Sequence, residues 1–186
     1  MGCFYFCKPL YAQNADIDLL DKINPQSPNS AVWRSVSASV YPVSLGTPVG
    51  LLAVGLIKKD KALQYKGWEA AGSLVVNAVI TQGMKYAINR QRPYEKYNFI
   101  YPYKIDASPS FPSFHTSAAF ATATTLTLEC KKWYVAVPAY AWAAGVGYSR
   151  MYLGEHYPSD VLAGAAVGAG SAWLSHWATQ KIFHKK

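Results

Sequence analysis

The sequence predicts an all-α protein, an up-and-down bundle of about five to six helices of transmembrane type. Three observations carry that reading. No segment alternates polar and apolar residues with the period of two that a half-buried strand shows. Several long apolar segments follow one another through short turns, so successive helices should run in opposite directions. The chain of 186 residues is 51% hydrophobic and only 15% charged, against about 25% charged for an average soluble domain. Its 14 Tyr and 6 Trp suit a protein that meets the membrane–water interface.

Residues 1–30 stand apart as an export-signal-like or flexible segment with a short helix, and residues 31–186 form the helical domain. Residues 3–7 are apolar and residues 10–13 have the small-residue flavour of a cleavage site, yet the basic start and long apolar run of a full signal peptide are missing. A degenerate export signal and a disordered tail are therefore both open. Phe6 stands where N-myristoylation needs Ser or Thr. Asp16, Asp18 and Asp21 precede Asn24, Pro25 and Pro28, which predicts a short helix over residues 17–23 and then a turn.

Residues 35–57 run without a charge and end at Lys58-Lys59-Asp60-Lys61. They are long enough to cross a bilayer, with Pro42 and Pro48 expected to kink or shorten the helix. A second helix is expected over 62–90, then a Pro/Tyr/Ser-rich loop over 93–111. Further helices are expected over 113–130, 133–152 and 158 to about 182. Alternation places Lys58, Lys59, Lys61, Lys66, Lys131, Lys132, Lys181, Lys185 and Lys186 at one end, a bias resembling the positive-inside rule. A soluble bundle with lysine-rich turns is the alternative. Gly164 and Gly168 would allow close helix contact in either medium.

The net charge of +8 fits nucleic acid, an anionic membrane surface or phosphate substrates. With no nucleic-acid-binding motif present, nucleic acid is not an expected partner. Cys3, Cys7 and Cys130 are too few and irregular for a disulfide framework or a zinc site, and no metal is expected.

Three polar pieces fall at the end away from the lysines. Lys85 and Arg92 are seven apart, so on one helix they would point the same way. Two aligned cations are tolerable around a phosphate, which takes a planar fork from Arg and a point charge from Lys. The bland alternative is a pair of dipole partners at a helix C-terminus. Ser113 heads the next helix as a natural N-cap, and the amides after a cap favour phosphate oxygens. His115 beside them would be kept protonated by a bound phosphate and could serve as a general acid; an ordinary capped helix with a surface histidine is the alternative. Last comes Ser149-Arg150, with His156 in a turn, Pro158 at a first helical position and Asp160 one turn on. A carboxylate on one ring nitrogen fixes the tautomer and leaves the other free to attack, although Asp160 could merely favour the helix N-terminus.

Taken together, Lys85-(six residues)-Arg92-Pro93, Pro112-Ser113-Phe114-His115 and Ser149-Arg150-(five residues)-His156-(three residues)-Asp160 resemble the three-part signature of the type 2 phosphatidic acid phosphatase (PAP2) superfamily. That superfamily also holds class A acid phosphatases and vanadium haloperoxidases. The resemblance implies metal-independent, cofactor-free hydrolysis of phosphate monoesters or diphosphates through a phosphohistidine, with vanadate as inhibitor. His156 would be the nucleophile, His115 the acid and Asp160 the orienting partner. Lys85, Arg92 and Arg150 would clamp the phosphoryl oxygens, with Ser113 and the amide of Phe114 assisting. Phe114 departs from the family pattern, which has Gly there. A negative φ would leave its amide usable, whereas a required positive φ would strain the site.

The implied substrates are membrane lipids: phosphatidate, phosphatidylglycerophosphate, a polyprenyl diphosphate or a lipid A phosphate. The implied location is a bacterial-type cell membrane with the site on the outer face. The alternatives are a soluble periplasmic acid phosphatase acting on small esters, a vanadate haloperoxidase, and a non-catalytic phosphate or lipid binder spoiled by Phe114.

Overall fold

The computed structural model of the chain describes residues 10–183. Residues 1–9, on which most of the export-signal reading rests, lie outside the described residues, as do Cys3 and Cys7. The described chain is helical with no strand among its residues. Helix α1 (Leu10–Ile23) starts seven residues before the expected 17. Residues 10–16 contain neither Gly nor Pro to stop the helix extending back.

The expected span over 35–57 is two helices, α2 (Ala31–Ala38) and α3 (Val40–Ile57), broken at Ser39. Pro42 explains the break: it lacks the N–H that would bond the Ala38 carbonyl, and its ring crowds that oxygen. Pro48 is carried inside α3. Together Ala31–Ile57 is the one stretch of the described residues long and apolar enough to cross a membrane.

Helix α4 (Lys61–Ile88) begins on Asp60, whose Oδ1 accepts from the Ala62 and Leu63 amides at 2.9 and 3.2 Å. Its 28 residues make a rod of about 42 Å. It ends at Asn89 in the left-handed conformation, with φ of 47°. The loop that follows holds one unexpected turn of helix, α5 (Pro93–Lys96), started by Pro93 and closed by Glu95 accepting from the Arg92 amide at 2.8 Å. Helices α6 (Phe114–Cys130), α7 (Trp133–Tyr152) and α8 (Pro158–Phe183) match the expected spans to within a residue or so.

Helix α6 is the axis of the bundle, packed by α8, α7, α4 and α3. Its buried residues are small: Ala118, Ala119, Ala121 and Ala123, among serines and threonines. Small side chains let neighbouring backbones close in, and α8 uses this at Gly164 and Gly168. A Cβ at Gly164 would lie 2.6 Å from the Ser113 carbonyl oxygen, and one at Gly168 would strike that of Ser117. Residue 113 faces 164 and 117 faces 168, so α6 and α8 run parallel. Helix α4 runs the other way, with Lys66 Nζ donating to the Glu129 carbonyl at 2.8 Å at one end and Thr81 bonding Ser117 at 3.1 Å towards the other.

Around this polar, small-residue axis the outer faces are apolar. Leu45 and Val49 of α3, Val75 and Val79 of α4, and Leu162 and Trp173 of α8 are all exposed. An exterior of this kind suits hydrocarbon rather than water, and the molecule is a bundle of transmembrane type.

At the lysine-rich end, Glu69 and His176 join Glu129 and Lys66. His176 Nδ1 lies 2.7 Å from Glu69 Oε1 and 3.6 Å from Glu129 Oε1, and Lys66 Nζ lies 3.7 Å from Glu129 Oε2. This network ties α4, α6 and α8 together far from the three-part signature.

Candidate active site

Each polar piece of the signature is delivered to the same end by a helix terminus. Lys85 comes from the last turn of α4, Ser113 and His115 from the start of α6, Arg150 from the last turn of α7, and Asp160 from the first turn of α8. Arg92 arrives differently from the sequence expectation. Because α4 stops at Ile88, Arg92 is not two turns along the same helix; it is the N-cap of α5 and reaches the site from the loop. The cations converge all the same.

The buried cations are held by the protein in detail. Lys85 Nζ donates to the Pro109 carbonyl. Arg92, only 2% exposed, donates through Nε to the Ser108 carbonyl at 2.9 Å and through Nη2 to Asp106 Oδ2 and Ser108 Oγ at 2.9 and 3.0 Å. Its Nη1 reaches the Glu155 carbonyl at 3.2 Å and stands 3.6 Å from Glu155 Oε2. Arg150 donates through Nη1 to Ser37 Oγ at 2.7 Å and through Nη2 to the same Glu155 Oε2, while its buried Nε has no protein partner.

His156 lies in the turn between α7 and α8 and is 2% exposed. Its Nδ1 is 3.5 Å from both Asp160 Oδ2 and Ser110 Oγ. Asp160 is fully buried and heavily bonded: Oδ2 accepts from Ser110 Oγ at 2.5 Å and from the Tyr157 amide at 3.0 Å, and Oδ1 from Arg90 Nη1 at 2.6 Å. Its carbonyl accepts from the Ser113 amide at 3.1 Å, joining the second and third pieces of the signature directly. Burial pushes the His156 imidazole down to about 4, against the opposing effect of Asp160. The ring is then neutral at ordinary pH, with Nδ1 on the Asp160 side and Nε2 on the far edge.

Ser113 caps α6 as expected, its Oγ accepting from the Thr116 amide at 3.5 Å and also from Thr116 Oγ1 at 3.0 Å. His115 is half-buried and meets the Tyr41 ring edge-on at 5.3 Å between centroids. Phe114 is not among the described non-glycine residues with positive φ, so the negative-φ alternative holds and glycine is not required there. Its ring lines an apolar groove of about 640 Å³ between α3, α4 and α6. A separate polar cavity of about 450 Å³ is walled by Arg34, Ser37, Asp106, His115, Arg150 and Glu155. Tyr41 belongs to the wall of both.

Sequence reasoning missed five residues that matter here: Glu155, Ser110, Arg90, Asp16 and Asn24. Glu155 and Arg90 are charged neighbours of signature residues, and their proximity was a usable signal. Ser110 and the two residues of the N-terminal segment carried none. Arg90 stacks 3.7 Å from the centre of the Tyr157 ring. Its Nη2 donates to Asp16 Oδ2 at 2.8 Å, and Asp16 in turn accepts from the Ser159 amide and hydroxyl at 2.8 and 2.5 Å. Asn24 donates to the Tyr101 and Tyr152 carbonyls, each at 2.9 Å, and accepts from the Tyr101 amide at 2.7 Å. Gly154, with φ of 70°, lets the Tyr101 carbonyl approach where a Cβ would collide.

Among the described residues, the only group of carboxylates and imidazoles gathered closely enough to hold a metal is Glu69, Glu129 and His176 at the opposite end, where Lys66 already pairs with Glu129.

The chain is similar to several known proteins. A lipid A 1-phosphatase of Porphyromonas gingivalis is 36% identical over 118 residues, covering 62% of this chain and 24% of the relative. An undecaprenyl-diphosphatase of Sulfolobus acidocaldarius is 36% identical over 113 residues, 55% of this chain and 50% of the relative. The chain thus spans a quarter to a half of the length of these relatives. The crystal structure of Aquifex aeolicus LpxE superposes with a TM-score of 0.71 at 23% identity, covering 88% of this chain and 95% of that one, and so shares the fold. The family model of the PAP2 superfamily matches residues 66–184, which take in all three pieces of the signature. With those pieces gathered at one end of an α6-centred bundle, the chain belongs to the PAP2 superfamily.

Proposed function

We propose that the protein is a phosphatase of membrane lipid phosphates that works through a phosphohistidine on His156 and needs no metal ion. The observation that carries the lipid assignment is the junction of the two cavities. The polar cavity holds His115 and Arg150, the apolar groove holds Phe114, and Tyr41 walls both. Consecutive residues at the head of α6 thereby serve a charged headgroup and a hydrocarbon tail. Related proteins named for lipid A and undecaprenyl diphosphate support the same class, and the apolar exterior argues against a soluble esterase. The lysine-rich end faces the cytoplasm in this reading, which puts the site on the outer face.

In the reaction, the lone pair on His156 Nε2 attacks phosphorus while Arg92, Arg150 and Lys85 balance the charge on the equatorial oxygens. The bond from phosphorus to the leaving oxygen breaks, and His115 supplies that oxygen's proton. Water then attacks the phosphohistidine, giving its proton to His115 and releasing phosphate and free His156. Asp160 stabilises the positive ring through Nδ1.

The test is phosphate release by detergent-solubilised protein from lipid A 1-phosphate, undecaprenyl diphosphate, phosphatidylglycerophosphate and a soluble aryl phosphate, with EDTA present. One or more lipid substrates should exceed the soluble ester in kcat/KM by about 100-fold, with orthovanadate inhibiting. Loss of activity in EDTA, or preference for the soluble ester, would refute the assignment.

Asp16→Ala tests the support behind the site. It should cut kcat about 10- to 100-fold with little change in KM, because it lets Arg90, and through it Asp160, leave position. An unchanged kcat in steady-state assays would show that Asp160 holds without Asp16.

A further inference from the structure

Glu155 sits where the two arginines of the signature meet. Its Oε2 takes a hydrogen bond from Arg150 Nη2 and stands 3.6 Å from Arg92 Nη1. The other donors of Arg92 are spent on the protein: Nε on Ser108, Nη2 on Asp106 and Ser108, and one Nη1 hydrogen on the Glu155 carbonyl. What these two guanidinium groups share is therefore one carboxylate oxygen, 5% exposed as a residue, on the wall of the polar cavity. A phosphoryl oxygen bound by both arginines needs that same point, since the Arg150 hydrogen bond and the Arg92 ion-pair contact meet at one anion there. A carboxylate and a phosphoryl group cannot both occupy it as anions, because like charges at contact repel strongly in a buried site.

We propose that Glu155 is the resident anion of the phosphoryl site, holding Arg92 and Arg150 in the empty enzyme and giving up its place to the tetrahedral oxyanion of the substrate. The proposal rests on the phosphatase reading and adds a residue that sets how tightly oxyanions bind. Arg92 also pairs with Asp106, but without Glu155 the buried Arg150 guanidinium would lie beside it with no carboxylate of its own; with the shared carboxylate, the cradle keeps its spacing between turnovers. The same carboxylate competes with product phosphate and so speeds its departure.

The exchange has a pH dependence of definite sign. Burial raises the Glu155 carboxyl above its usual range, against the pull of Arg150 and Arg92. Below that raised value the group is neutral and yields readily, so oxyanions bind more tightly; above it the carboxylate competes and binding weakens. The charged and titratable groups around it are Arg34 of α2, Tyr41 of α3, Arg92, Tyr103, Lys104 and Asp106 of the loop, His115 of α6 and Arg150 of α7. Only a comparison with a variant at this one position isolates its part.

The experiment measures binding of tungstate, a tetrahedral dianion kept dilute enough not to condense at the lower pH, by calorimetry on the full-length solubilised protein and on Glu155→Gln. At about pH 8 the variant should bind tungstate about tenfold more tightly than the wild type, and the difference should narrow as the pH falls towards the raised value of the carboxyl. Equal or weaker binding by the variant at the higher pH, or a difference that does not change with pH, overturns the proposal. If Glu155→Gln cannot be purified in plain buffer, tungstate or phosphate in the buffer should rescue it, since the oxyanion replaces the missing counter-ion; failure of both to do so also overturns it. Wild-type protein that neither binds tungstate nor releases phosphate removes the phosphatase reading itself. Wild-type activity with unaltered binding in the variant removes only the role of Glu155.

Discussion

Replacing His156 by alanine is expected to lower kcat about 10⁴-fold or more while leaving the fold intact, because no other described nucleophile occupies its place and the remaining cations can only bind. The ring is buried against Asp160 and Ser110, so its loss empties a polar pocket rather than removing a strut of the bundle. Phosphate release measured beside the far-UV circular dichroism of the same preparation checks both halves. Retained activity in a folded His156→Ala protein would sink the phosphohistidine mechanism. Asp160→Asn should sit between the wild type and that variant. It keeps the acceptor for Ser110 and the Tyr157 amide at one atom but forfeits the charge that stabilises the imidazolium and pairs with Arg90.

Gly168→Val should destabilise the protein by about 3 kcal/mol or more, a size reached when added bulk meets backbone rather than a movable side chain. The atom in the way is the Ser117 carbonyl oxygen of α6, in the bundle's central helix. Separating α8 from α6 also separates Asp160 from Ser113, whose amide bonds the Asp160 carbonyl at 3.1 Å, so activity should fall with stability. Gly46→Val is the matching control, since a Cβ there meets nothing within 4 Å. The thermal midpoints of the two variants in the same detergent decide the matter. A Gly168→Val midpoint equal to that of the control would show that the helices can part without cost.

The long helices were legible because each is punctuated in the sequence. Ser113 before α6, Lys131-Lys132 between α6 and α7, and Pro158 at the first position of α8 all mark boundaries by local chemistry. The break at Ser39 was foreseeable in kind but not in place, because a proline disturbs the residues before it and Pro48, equally suspect, is absorbed by α3. The signature residues were legible as a set through their order and spacing. Their mutual geometry was not: α4 ends at Ile88, close to the expected residue 90, and nothing local predicted that the loop beyond it would carry Arg92 back to the site. Ser110, Asn24 and Asp16 were unreadable for a different reason. Their roles depend on partners up to 143 residues away, and such pairings have no local pattern. Phe114 shows the limit from the other side: the sequence flagged its bulk, and only the packing of α3 against α4 and α6 says where that bulk goes.

The fastening of the histidine turn has a consequence for the size of the minimal working unit. The PAP2 match begins at residue 66, and the signature itself at Lys85. Yet Asn24 ties Tyr101 of the loop before α6 to Tyr152 at the end of α7, where that turn begins, and Asp16 holds Ser159, just after it, and Arg90. Two polar side chains from the opening helix and its end thus act as a clasp on a site assembled by the other end of the chain. Shortening the protein to its family-matching portion would leave every signature residue present and the turn that carries His156 unlatched. The functional unit, counted by its hydrogen bonds rather than by its motif, reaches back at least to Asp16.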